Sequence, residues 1–310
     1  MELKEQLDSA LVIESQPLSQ SHIRHTLNQL GFSHIDFADR ARLAVQALET
    51  RSYDLLLCGY DLNQGADGYQ LFEQLLDQGL ISSATSVVFL SSEKDMQLSQ
   101  SIIELKPDDF LLKPFSTQEL EVRLTRILRK KLKLKDVFLA LDSKQYKKAI
   151  ARLNEHISEN TQPKWIPYLM KLKGEIILSM ANWPLAEQFF EKVCTLHPYP
   201  WAKFGLIESL FHQGKTGAAK AMLNGVLQSQ QNKLPALDLM AQICQQDDEF
   251  EQAIDYLKSA IDIAPRNINR QKQVVDLARL THDFELQHTV STGIVRQARY
   301  SIHDKPDAYL

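Results

Sequence analysis

Cysteine is scarce in this chain. The three present, Cys58, Cys194 and Cys244, are too far apart, and odd in number, for a disulfide framework or a Cys-x-x-Cys metal or redox site. Such usage is expected of a protein in a reducing cytoplasm. Glycine and proline are equally sparse, 11 of each in 310 residues, which excludes collagenous and low-complexity character. No apolar run approaches the roughly 18–20 residues needed to cross a bilayer. The N-terminus, from Met1 to Asp8, is charged where an export signal would be apolar, so a soluble, non-exported protein without membrane insertion is expected. Also missing are a Gly-rich phosphate loop, Gly-x-Ser-x-Gly, His-Glu-x-x-His, a helix-turn-helix and a basic aromatic sheet. Enzymes built on those motifs, and nucleic-acid binding, are therefore not expected. His22 and His25 are three residues apart, but no other ligand type accompanies them to complete a metal site.

What is present suits a soluble protein of two domains. Hydrophobic residues make up 44% and charged residues 24%. The formal net charge of −4 conceals a division: residues 1–128 carry 10 Lys and Arg against 19 Asp and Glu, a balance of −9, and residues 129–310 carry +5. A value so near neutrality suggests no generic attraction to nucleic acid or membrane.

The N-terminal part alternates short apolar runs with amphipathic stretches. Ala10–Ile13, Ile35–Phe37, Asp54–Cys58, Ser86–Leu90 and Asp109–Leu112 predict five strands. Between and after them the spacing predicts helices, the first carrying Ile23, Leu27 and Leu30 and closed by Gly31, the last covering Thr117–Arg129. Five apolar strands alternating with helices argue for a parallel, doubly wound sheet covered on both faces. In such sheets the chemistry gathers beyond the carboxyl ends of the strands. There the sequence sets Glu14 and Ser15, then Gly59, Tyr60 and Asp61, then Ser91, then Lys113. A carboxylate, a hydroxyl and a lysine converging at strand ends suit a divalent cation and an anionic group, or a charged cleft that satisfies itself.

The order of these residues resembles the receiver domain of bacterial two-component response regulators, the CheY-like, flavodoxin-like fold. The resemblance runs through Leu11-Val12-Ile13-Glu14, Leu30-Gly31-Phe32, Tyr53-Asp54-Leu55-Leu56-Leu57, Asp67-Gly68, Ser91 and Leu111-Leu112-Lys113-Pro114-Phe115. It implies a small phosphoryl-transfer site, in which an acidic pair and an aspartate hold magnesium and the aspartate takes a phosphoryl group from a partner kinase. It also implies a cis peptide bond between Lys113 and Pro114. This chain departs from the pattern. Its acidic pair is Glu14-Ser15, and the acceptor position falls on Gly59, or on Tyr60 in the register that removes a one-residue insertion before Gly68. Neither carries a carboxylate. Asp61 is the substitute acceptor to test, ahead of Asp54, and Glu14 with Asp61 are the candidate ligands for Mg2+. Lys113 is expected either to pair with Glu14 or Asp61, or with Ser91 to answer an anion.

After the basic run Arg129–Lys135 the strand signals stop. That run reads as an extended last helix entering a linker rather than a nucleic-acid patch. This change places the boundary there, with 1–130 as the receiver and 131–310 as a helical repeat. Ala149, Ala186, Ala219 and Ala253 recur 37, 33 and 34 residues apart. Around them Gly174, Ile207 and Ala241 precede large apolar residues such as Phe190, Leu223 and Leu257. These positions resemble the tetratricopeptide repeat (TPR), with four copies and a decayed fifth over residues 269–301 acting as a cap. The resemblance implies an all-α solenoid with a groove for segments of other proteins, its candidate contacts Tyr168, Lys171, Lys203, Glu208, Asp238 and Gln242.

The function expected is that of a cytoplasmic, non-enzymatic signalling adaptor. Its receiver would bind a histidine kinase, phosphotransfer protein or second receiver, and its TPR domain an unidentified protein. The alternatives are a regulator phosphorylated at Asp61, and a scaffold that dimerises through its receiver.

Overall fold

The computed structural model describes residues 7–92, 94–159, 163–229 and 232–305; the charged N-terminal stretch 1–6 lies outside them. Two compact units divide the chain, Met1–Asp142 with Gly293–Leu310, and Ser143–Thr292.

The first unit is built on strands β1 (Ser9–Ile13), β2 (His34–Ala38), β3 (Leu55–Gly59), β4 (Ser86–Ser91) and β5 (Asp109–Leu112), all parallel in the order β2-β1-β3-β4-β5. Every residue of β1, β3 and β4 is buried, as strands covered on both faces require. Alternation along each strand sorts its residues between two cores. Leu11, Ile13, Leu56, Cys58 and Phe89 face helices α2 (Ala41–Thr50), α3 (Gly68–Asp77) and α4 (Met96–Glu104). Val12, Leu55, Leu57, Val88 and Leu90 face α1 (Pro17–Leu30) and α5 (Thr117–Lys133). Edge strand β2 alternates exposed and half-buried residues until Ala38. Gly31 ends α1 in the left-handed region at φ 95°, its N–H reaching the carbonyls of Leu27 and Asn28.

The basic run lies at the junction of α5 and α6 (Lys135–Asp142), where the last-turn lysines suit the negative end of the helix. Lys131 reaches Asp108 at 3.2 Å and the Ser83 carbonyl at 2.8 Å, and its ammonium lies 4.7 Å from the Phe138 ring centroid. Asp142 accepts the Ser82 hydroxyl at 2.6 Å and the Ser83 N–H at 2.9 Å. These bonds carry α6 with the sheet. The division therefore comes after Asp142, not at residue 130, and residues from Gly293 onward belong to the first unit instead of completing a terminal cap.

The second unit is entirely helical among the described residues: α7 (Tyr146–Ser158), α8 (Ile166–Ser179), α9 (Trp183–Leu196), α10 (Pro200–His212), α11 (Thr216–Leu227), α12 (Lys233–Gln246), α13 (Phe250–Ile263), α14 (Ile268–Leu280) and the start of α15 (Phe284–Ala298). Each of α7 to α13 packs on the next helix, and α10 also meets α8 and α12. Ala149, Ala186, Ala219 and Ala253 lie on α7, α9, α11 and α13 and are all fully buried. Phe190 shows what the small positions are for. Its ring is 1% exposed, and a Cβ at Gly174 or Gly205 would come within 2.8 or 2.4 Å of it.

That enclosure makes opposite predictions for two glycines of this unit. Gly205→Ala should lower stability by about 1–3 kcal/mol despite alanine's better helix propensity, because the Phe190 ring has nowhere to move. Gly225→Ala, on α11 with open space around it, should raise stability by about 0.5–1 kcal/mol. Thermal unfolding of the two variants checks both signs.

Candidate functional site

The strand order reverses between β2-β1 and β1-β3, so loops diverge at the carboxyl ends of β1 and β3 and leave a crevice there. Glu14, the residue after β1, is fully buried in that crevice, its N–H held by the Ala38 carbonyl at 2.9 Å. Lys113, the residue after β5, has its own N–H on the Ser91 carbonyl at 2.8 Å, and its peptide bond to Pro114 is cis. Its ammonium donates to Glu14 Oε2 at 2.5 Å, with side-chain exposures of 13% for the lysine and 1% for the glutamate. Of the two partners considered for Lys113, the structure selects Glu14.

The rest of the Glu14 carboxylate is engaged as well. Ser19 Oγ donates to Oε2 at 2.8 Å and the Gln16 N–H to Oε1 at 3.0 Å. Ser15 donates its hydroxyl to the Asp61 carbonyl at 2.9 Å. Asp61 itself is exposed. Gly59 closes β3, and a Cβ there would lie 2.8 Å from the Ile13 carbonyl oxygen. Tyr60 N–H bonds the Leu90 carbonyl at 2.8 Å, and its side chain packs on the apolar cluster of α2 to α4. Behind the site, burial pushes the Cys58 thiol well above the ordinary range, and the charge of Asp67 pushes it further, so it remains protonated.

Magnesium takes near-octahedral oxygen coordination. Here both Glu14 oxygens already accept hydrogen bonds, the Asp61 carbonyl is taken by Ser15, and position 59 offers no oxygen beyond its backbone. Among the described residues no group of three or more His, Cys, Asp or Glu side chains could hold a metal. Of the two candidate ligands, Glu14 is hydrogen-bonded to Lys113, Ser19 and Gln16 and Asp61 is exposed, a donor set poorer in free oxygens than magnesium coordination calls for.

Asp54 lies at the opposite end of the sheet. It precedes β3, and its Oδ2 accepts the N–H groups of Asp8 at 3.0 Å and Ser9 at 3.1 Å, which excludes it from the crevice. Sequence reasoning missed Ser19 and Gln16, on the turn into α1, and Asp39 after β2. Asp39 accepts the Asn63 side-chain amide at 3.3 Å, while its carbonyl holds the Asn63 N–H at 3.2 Å. The hydrogen bond from Arg40 holds the Asp39 carboxyl at about 2. Its position directly after β2, at the carboxyl end of the sheet, is the sequence signal that marks Asp39.

In the helical unit, Lys171, Lys203 and Gln242 are exposed on α8, α10 and α12, with Lys171 3.7 Å from Glu175 one turn on. Tyr168 and Glu208 are half-buried. Asp238 is not a free groove residue. Its two oxygens accept from Nε and Nη2 of Arg270 at 2.7 Å each, and Arg270 is 2% exposed. The two-bond pair with a nearly buried arginine ties α12 to α14 and commits the Asp238 carboxylate, since taking it away would leave the guanidinium charge without its counter-charge. His22 and His25 are exposed on α1.

Fold and site together define a doubly wound parallel α/β receiver. The profile of the response regulator receiver domain family matches residues 10–125, and this segment is a receiver domain. Over 120 residues the chain is 31% identical to the transcriptional activator protein IrlR of Burkholderia pseudomallei, covering 39% of this chain and 50% of that protein. Over 125 residues it is 24% identical to the transcriptional regulatory protein LytR of Staphylococcus aureus, covering 40% and 48%. The chain thus spans about half the length of the curated relatives it matches. A putative response regulator from Chloroflexus aurantiacus aligns at 26% identity with a TM-score of 0.35, covering 39% of this chain and 97% of that one.

Two substitutions probe the closed crevice. Lys113→Met leaves a buried carboxylate without its cation and should cost about 3–5 kcal/mol in urea unfolding. Gly59→Asp should lower stability by about 1–3 kcal/mol, because the new Cβ meets the β1 backbone, and should not create magnesium binding measurable by calorimetry.

Proposed function

We propose that this chain is a non-enzymatic, cytoplasmic adaptor of two-component signalling. Its receiver engages a histidine kinase, a phosphotransfer protein or a second receiver without accepting phosphate at the usual position. Its helical unit, of TPR type, docks a separate protein. The observation that carries this reading is the Glu14–Lys113 pair beside a glycine at position 59. Phosphoryl transfer needs a nucleophile, a cation to offset charge on the phosphoryl oxygens and a free lysine to meet the product. The usual acceptor position carries no carboxylate, the Glu14 carboxylate is hydrogen-bonded to Gln16, Ser19 and Lys113, the Asp61 carbonyl to Ser15, and the lysine is already paired.

The TPR assignment is supported by the 37, 33 and 34 residue spacing of four alanines that are all fully buried. IrlR and LytR are named as transcriptional proteins, but they match this chain only through its receiver. The helical unit, not a DNA-binding segment, is the output proposed here, and it acts by occupancy.

Incubating the full chain with magnesium and acetyl phosphate should leave its intact mass unchanged, and beryllofluoride should leave its melting temperature unchanged. An acyl phosphate that forms on the chain and is lost in Asp61→Ala would overturn the proposal in favour of a phosphorylated regulator.

A further inference from the structure

The chain leaves the first unit after Asp142 and returns to it at Gly293, within α15. The last carbonyls of any α-helix lack partners of their own. At the end of α15 one side chain from α3 bridges two carbonyls: Gln70 Nε2 donates to that of Gln297, in the last turn, and to that of Arg299, just past the helix, both at 3.0 Å. A second tie follows, His303 Nε2 to Glu73 Oε1 at 3.3 Å, with side-chain exposures of 9% and 14%. Between them the turn is closed by the Ser301 hydroxyl on the Ala298 carbonyl at 2.6 Å and the Tyr300 N–H on Asp304 at 2.9 Å.

Gln70 has another task. It occupies the third position of α3 in a capping box, where its Oε1 accepts the Asp67 N–H at 3.1 Å and its own N–H bonds Asp67 Oδ1 at 2.9 Å. Asp67 ends the loop that begins at Tyr60, and that loop is fastened to the crevice by Ser15 on the Asp61 carbonyl and to β2 by Asn63 on Asp39. Hydrogen bonds at both ends of the loop 60–67, joined by the loop's own backbone, therefore lead from the strand ends around Glu14, through Asp67 and Gln70, to the end of α15. Gln70 is 8% exposed, so its amide has little water to turn to if either side lets go.

We infer that residues 293–305 are a clasp on α3 whose hold is set by the loop 60–67, so that an event at the receiver's strand ends and release of the C-terminal segment are coupled. This goes beyond the adaptor proposal and does not depend on it. A clasp of this kind would work the same way if the receiver were phosphorylated at Asp61.

Hydrogen exchange read by mass spectrometry on the full chain tests it with two variants. Gln70→Glu keeps an oxygen for the Asp67 N–H, as capping boxes allow, but turns an acceptor toward the carbonyls of Gln297 and Arg299. The expected result is exchange about tenfold or more faster across residues 293–305, with β1, β3 and β4 as protected as in the parent. Asp67→Ala loosens the loop side only and should quicken the same segment. Unchanged exchange over 293–305 in Gln70→Glu would overturn the clasp. Faster exchange in Gln70→Glu with none in Asp67→Ala would overturn its link to the loop.

Discussion

The Glu14–Lys113 pair joins the ends of β1 and β5, strands that are separated in the sheet by β3 and β4. An unpaired carboxylate as buried as Glu14 would cost several kcal/mol, so the lysine cannot leave without a replacement cation, and this requirement orders everything around it. With the lysine committed, Lys113 N–H keeps β5 on Ser91. With the carboxylate committed, the turn into α1 closes through Gln16 and Ser19. Ser15, next in the chain, is then free to hold the Asp61 carbonyl and with it the loop after β3. In a receiver that exchanges phosphate these groups serve a cation and a phosphoryl anion. Here they serve one another, and the glycine at position 59 lets β1 and β3 approach too closely for any side chain to intervene.

The helical unit is governed by a different constraint, the close approach of helices at small residues. Gly174 and Gly205 border one ring, Phe190, and the alanines of α7, α9, α11 and α13 repeat the same economy of volume. Polar ties then fix particular helix pairs: Arg270 grips Asp238 with both ends of its fork, and Lys215 meets Glu187 at 2.6 Å. The guanidinium matches a carboxylate in two parallel bonds, which gives the α12–α14 contact one geometry where apolar packing would tolerate several.

Much of this was legible beforehand, and the failures have a common cause. Short apolar runs bounded by polar residues can be read from a single sequence, fully buried as in β1, β3 and β4 or at the sheet's edges as in β2 and β5, so the five strands and the order of residues at their carboxyl ends emerge correctly. Periodicity likewise exposed the alanines. Long-range polar partners leave no periodic trace. Nothing local to Asp238 announces that Arg270, 32 residues later, will claim it, and nothing in Arg129–Lys135 reveals that Lys131 turns back to Asp108 and Ser83. The compact units divide later than the change in composition for the same reason, because Asp142 is fastened to Ser82 and Ser83 by bonds that span about 60 residues of chain. Composition divided the molecule at the point where its character changes, whereas contacts divide it where the bonds stop.

A receiver that forms no covalent bond with phosphate can be shifted only by differential binding: a partner moves its equilibrium by no more than the difference in affinity for the two states. Couplings between sites are typically about 1–3 kcal/mol, the scale of one or two buried hydrogen bonds. The rigid ion pair at Glu14 is too costly to break on that scale and is fit to hold a fixed surface. The Gln70 and Glu73 contacts with residues 297–303 are of the right size to be made and broken by a partner. On the proposed adaptor reading the sheet and its crevice serve as a frame, and responsiveness rests with the weaker polar contacts at the frame's edge, where the chain re-enters the unit it left at Asp142.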